Sequence, residues 1–136
     1  MPAEENKAAV NRLQEAVNKG DWSVLPELFA PEYVFHAPQE ARGPEGITQS
    51  FMALKAAFPD YQEKIERMFA EGDMVAVFYT LTGTFQGEFA GVKPTGKKFS
   101  LPIAVLARFE NGKQVEAWSY FDQLAWLRQL DVNPPG

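Results

Sequence analysis

Phe99, Leu101, Ile103, Val105, Ala107 and Phe109 place an apolar side chain at every second position, and the run ends in Asn111-Gly112. A period of two over that length is a strand with one apolar face. Asn-Gly readily takes the positive φ angles of a two-residue hairpin turn, so the chain must double back, here over about Lys113 to Phe121. Upstream, Met74 to Phe85 is rich in Val, Thr, Tyr and Phe and apolar on both faces, as a covered central strand is. Glu71-Gly72-Asp73 is a turn signal joining it to Tyr61–Ala70, a strand wet on one face, with Asp60 at its start. The second half is therefore a meander of long antiparallel strands, with a loop over Gly87–Gly96.

The first half has a different period. Ala9, Val10, Leu13, Ala16 and Val17 predict a helix over about residues 3–19, ended by Gly20 in the left-handed region. Asp21 is placed to cap a second short helix carrying Leu25, Leu28 and Phe29. Tyr33 to His36 reads as a short strand, and a turn region runs to Gly43. A third helix opens at Pro44, shows one stripe of Ile47, Phe51, Leu54 and Phe58, and stops at Pro59. A last short helix lies around Gln123 to Leu130. Helices grouped before a meander specify the α+β class. The chain is read as one domain over residues 1–132, with 133–136 as a flexible tail. Long strands curling around a helix leave a half-open barrel with a mouth, a common place for a ligand. Aromatic residues are 13% of the chain, enough ring area for either a Phe-rich core or a lined cavity.

Bulk chemistry removes several functions. A net charge of −5 offers no basic face for nucleic acid. The chain has no cysteine, which excludes a disulfide, a thiolate nucleophile and a zinc finger. One histidine and no cysteine leave no transition-metal cluster by local spacing, so no metal is expected. The polar, acidic start and the lack of an apolar run near ~20 residues argue against a leader or membrane span, and the cytoplasm is the expected location. Gly91 to Lys98 nearly spells a phosphate-binding loop. Lys98 stands where Ser or Thr is needed, and a strand follows where the loop needs a helix.

The last strand is the most informative stretch for chemistry. In Glu116-Ala117-Trp118-Ser119-Tyr120-Phe121-Asp122, a regular period of two puts Glu116, Trp118, Tyr120 and Asp122 on one face. A carboxylate among rings can hold a raised pKa and act as a general acid or base. The same pattern also fits an exposed polar face on which Asp122 only caps the last helix. His36 can move protons either way near neutral pH, or be structural.

Phe58-Pro59-Asp60, Glu71-Gly72-Asp73, Gly83-Thr84-Phe85, Gly87-Glu88-Phe89, Pro94-Thr95-Gly96-Lys97, Arg108 to Lys113, and Glu116-Ala117-Trp118 with Asp122 come in an order that resembles the SnoaL-like polyketide cyclases. The resemblance covers about residues 5–131. It implies an NTF2-like cone, with N-terminal helices packed in a strongly curved, mainly antiparallel sheet. It also implies a cofactor-free pocket and a homodimer or homotetramer through the open sheet. Its chemistry would be an intramolecular aldol ring closure on a hydrophobic, aromatic polyketide-like molecule. Asp122 matches the family's acid/base position. With it, His36 would be a proton partner, and Trp118, Tyr120, Glu116, Tyr79, Phe85 and Phe51 would contact substrate. Phe85 and Ala117 stand where family members often carry His. Three alternatives stay open: an isomerase resembling ketosteroid isomerase, a binding protein for a hydrophobic small molecule, and a partner-binding domain.

Overall fold

Helix α1 spans Pro2–Lys19 in the computed structural model, which describes residues 2–133. Its apolar stripe of Val10, Leu13, Ala16 and Val17 is buried, and Gly20 ends it at φ +70°. Asp21 does not cap the next helix. Its carboxylate accepts from the Ser23 amide at 3.1 Å and hydroxyl at 2.6 Å, closing a local turn instead. Helix α2, Leu25–Leu28, starts after Val24 with Pro26 in its first turn. Strand β1 covers Phe29–His36, so Phe29 belongs to the sheet and the strand starts earlier than Tyr33. Pro31 explains why the start is hard to read. It has no N–H for the ladder, and the pairing shifts between Phe29 and Val34.

Strand β2, Ala41–Arg42, lies inside the predicted turn region and pairs antiparallel with β1. Helix α3, Gly43–Ala57, follows with Pro44 in its first turn. The meander then comprises β3 (Gln62–Glu71), β4 (Met74–Thr84), β5 (Lys98–Glu110) and β6 (Lys113–Tyr120), before α4 (Gln123–Gln129). Asn111 and Gly112 have φ +51° and +78°, as the hairpin turn requires. The tail expected at 133–136 falls, beyond Asn133, outside the described residues.

The sheet runs β2-β1-β6-β5-β4-β3 and is antiparallel except where β1 pairs parallel with β6. Helix α1 packs on β3 and β4, and α3 on β1 and β2. One hydrophobic cluster extends from Val10 to Leu130. Phe58 anchors one end of it, with ring centroids 5.3 Å from Phe85, 5.1 Å from Phe99 and 6.0 Å from Trp126. Asp60 pins the end of β4 by accepting from the Thr84 amide and hydroxyl, both at 2.7 Å. The following loop is held close to α3, because the Gln86 and Gly87 amides both reach the Ala57 carbonyl at 2.9 Å. A Cβ at Gly87 would collide with the Ala56 carbonyl oxygen, so that close approach needs glycine.

Candidate active site

The helices do not fill the curve of the sheet. Between them lies a cavity of about 320 Å³. Exposed residues among its lining, Pro38, Gln39, Ser50, Ala53 and Gln123, mark the mouth. Buried ones, Val10, Leu13, Tyr33, Tyr61, Glu63 and Tyr79, form the floor. The apolar positions of β5, from Phe99 to Ala107, make the wall between, and Phe51 and Leu54 of α3 face it. That role accounts for Phe51 and Leu54 being only half-buried although they lie on the helix's apolar stripe.

Glu63 is the charged residue of this interior. Tyr61, Glu63 and Ile65 share a parity at the start of β3, which turns the carboxyl inward with only 9% of the residue exposed. The position is tightly fixed. Gln14 and Asn18 of α1 each donate to the Glu63 carbonyl at 2.9 Å, and the Glu63 amide donates to Asn18 Oδ1 at 2.8 Å. These bonds satisfy the outer edge of β3, which has no further strand beside it. Tyr61 Oη donates to Glu63 Oε2 at 2.8 Å. Burial pushes the Glu63 carboxyl up to about 7, against the opposing pull of the Tyr61 hydrogen bond and the Lys55 charge. Burial also raises Tyr33, Tyr61 and Tyr79, so all three phenols stay protonated donors at neutral pH. Lys55 Nζ donates to the Asn18 and Tyr61 carbonyls at 3.1 and 2.9 Å, and burial lowers its own pKa.

Of the residues singled out from sequence, Tyr79 and Phe51 line this cavity. Phe85 is buried against Phe58 and is not part of the lining. Glu116, Trp118 and Tyr120 do share a face, but it is the opposite one. Directly paired residues of neighbouring strands point the same way. Arg108 pairs with Glu116, Leu106 with Trp118 and Ala104 with Tyr120, whereas the inward pairs are Ala107 with Ala117 and Val105 with Ser119. The cavity side of β6 is thus Ala117 and Ser119, continued by Phe121 just beyond the strand. His36 goes outward too. Its Nε2 lies 2.7 Å from Glu116 Oε2, and its ring stacks on Trp118 at 5.5 Å. Arg108 reaches the other Glu116 oxygen at 3.4 Å. His36 Nε2, Glu116 and Trp118 are therefore engaged with one another across the sheet from the cavity.

Asp122 is exposed and lies in sequence between Phe121 and Gln123, both of which line the cavity, but it is not itself part of the lining. Its Oδ1 accepts from the Ala125 amide at 2.9 Å and caps α4. Sequence reading missed Glu63, Tyr61, Tyr33, Gln114 and Ser119. The signal for Glu63 was present in its parity with Tyr61 and Ile65. The signal for β6 was the charged parity of Arg108 on the partner strand.

The profile of the SnoaL-like polyketide cyclases matches residues 7–130. Aklanonic acid methyl ester cyclase AcmA of Streptomyces galilaeus is 31% identical over 131 residues, which are 93% of this chain and 90% of that one. The cyclase of the same name, DnrD, of Streptomyces peucetius is 32% identical over 127 residues, 89% of this chain and 87% of that one. Among solved structures, AclR of Streptomyces galilaeus is 32% identical with a TM-score of 0.83, covering 97% of this chain and 99% of that one. TsrD of Streptomyces laurentii is 25% identical with a TM-score of 0.87, covering 96% and 97%. A protein from Catenulispora acidiphila described as having a ketosteroid isomerase-like fold, 22% identical with a TM-score of 0.77 over 92% and 93%, matches in fold. With its profile spanning nearly all of the sequence and its α+β cone housing an aromatic-walled cavity, the chain belongs to the SnoaL-like polyketide cyclase family.

Proposed function

We propose that this chain closes a ring in an aromatic polyketide ester by cofactor-free acid/base catalysis, on a substrate resembling aklanonic acid methyl ester. The observation that carries this reading is the cavity itself. It is apolar and ring-lined, as a flat hydrophobic ligand requires, with the Glu63 carboxyl at its floor and Asp122 next in sequence to two residues of its mouth. In the aldol step a base removes a proton from a methylene flanked by carbonyls. The carbanion forms the new C–C bond to a second carbonyl, and the resulting alkoxide takes up a proton. The enzyme's share is to hold the chain folded on itself and to move those protons.

Asp122 is the proposed acid/base, because it matches the family's acid/base position and its neighbours on both sides line the cavity, while the cap bond engages Oδ1 alone. The proton-partner role expected for His36 is dropped, since its Nε2 is held by Glu116 on the far side of the sheet. Asp122→Asn is expected to lower turnover of aklanonic acid methyl ester by about 10²-fold or more. Melting should barely change, because Asn caps a helix about as well as Asp. Full turnover in that variant would remove Asp122 from the chemistry. The Ala125 cap bond also favours a second reading, a binding protein without chemistry, which predicts tight binding of the ester with no product.

The outer face of the sheet exposes Phe69 (60%), Phe78 (39%) and Tyr120 (60%) beside Trp118. We infer that a second copy of the chain covers it, giving a homodimer. Phe78→Ser should shift the sedimentation of the purified protein toward the monomer, and a wild-type protein sedimenting as a monomer would refute the dimer. No helix among the described residues is long and apolar enough to cross a membrane.

A further inference from the structure

The floor of the cavity holds more polar groups than a purely hydrophobic ligand could use. Glu63 Oε2 is taken by Tyr61, and no described residue bonds Oε1. Among the described residues, Trp126 Nε1 is the fully buried side-chain polar atom left without a partner. Glu63 Oε1 and the Tyr33 and Tyr79 hydroxyls, which also lack protein partners, therefore meet the open space of the cavity that all three residues line. Tyr79 lies close enough to feel both Glu63 and Tyr33.

We propose that Glu63, Tyr79 and Tyr33 form a binding site at the cavity floor for a carbonyl oxygen of a flat aromatic ketone, with the Glu63 carboxyl donating the hydrogen bond. The inference rests on the reading of the ligand as such a ketone and names the end of the cavity that orients it. A carboxyl here is a donor only while protonated, and burial keeps it so up to about pH 7. The groups that set this are known. Lys55 of α3 lowers the Glu63 pKa, Tyr61 donates to it, Tyr33 and Tyr79 stay neutral, and α1 presents only the uncharged Gln14 and Asn18. Carbonyl recognition should weaken as pH rises through that value. A carbonyl anchored at the floor leaves the far end of the ligand at the mouth, near Phe121 and Gln123.

The test uses 2-acetylnaphthalene and its hydrocarbon counterpart 2-isopropylnaphthalene, with binding followed by calorimetry. The wild-type protein is expected to prefer the ketone by about tenfold at pH 5.5, the worth of one buried hydrogen bond. Most of that preference should be gone at pH 8.5. Glu63→Gln, whose amide also donates, should keep the preference and lose its pH dependence. Glu63→Leu should lose most of the preference, keeping only what the Tyr33 and Tyr79 hydroxyls supply. A wild-type preference that is flat from pH 5.5 to 8.5, or one that survives undiminished in Glu63→Leu, overturns the proposal. The wild-type pH series needs no variant to fold. Turnover of the ester with the ketone preference intact in Glu63→Leu would sink the floor site and spare the cyclase reading. A Glu63-dependent preference without turnover would do the reverse.

Discussion

The two faces of the sheet each carry a carboxylate with an aromatic or imidazole partner, and the two are displaced in opposite directions. On the concave face, burial pushes Glu63 up. On the convex face, the His36 hydrogen bond pulls Glu116 down, with Arg108 adding to it and partial burial opposing. The residue type is the same and the strands are continuous. What differs is the setting of the charge: an apolar interior on one side, the His36 hydrogen bond and the Arg108 guanidinium at the solvent edge on the other. A carboxylate's chemistry in this fold is thus decided by strand parity, a shift of one residue.

The comparison breaks most visibly in the core. Phe58→Ala removes the ring on which Phe85, Phe99 and Trp126 converge, and denaturant unfolding should show a loss of about 3–5 kcal/mol. Phe78→Ser on the outer face should cost the monomer far less. Equal losses would mean that the outer face is as much a core as the inner one.

The pH dependence of stability sharpens the contrast, with opposite signs. Glu63 has a folded pKa above its ordinary 4.5, so its contribution is intact below 4.5 and is lost as pH rises to about 7. The distance between those values corresponds to roughly 3 kcal/mol. Glu63→Gln should therefore gain on the wild type between pH 4.5 and 8. Glu116 has a folded pKa below 4.5, so its contribution is present above 4.5 and lost as pH falls through the lowered value. Glu116→Gln should be less stable at neutral pH and converge with the wild type in acid, by a smaller margin because the pair is partly exposed. Melting curves at several pH values read both effects, and parallel trends in the two variants would refute the contrast.

Much of the fold was legible because its signals are local. The α3 stripe, the alternation of Phe99 to Phe109 and the Asn111-Gly112 turn each depend on neighbours within a few residues. The orientation of β6 was not, since alternation says that Glu116, Trp118 and Tyr120 agree without saying which way they point. A register shift in the hairpin adds to the difficulty: Phe109 pairs with Gln114 but Arg108 with Glu116, leaving Val115 unpaired. Glu63 was passed over as one charge in a strand that is wet on one face. Its neighbours Tyr61 and Ile65 carried the contrary information, which becomes decisive only once α1 is known to cover that side. Family resemblance supplied the cone and Asp122, but not the floor.

The parallel pairing of β1 with β6 also fixes an order of events. His36 meets Glu116 across 80 residues of sequence, and every other long strand pair is joined by a turn or a single loop. The meander can assemble from near neighbours, whereas β1 has no long strand to pair with until β6 exists. On a ribosome, where the chain emerges from its N-terminus, α1 can dock once β3 and β4 are made, but β1 must wait for nearly the whole sequence. The wall that β6 gives the cavity, Gln114 and Ser119, therefore arrives only with the step that completes the sheet.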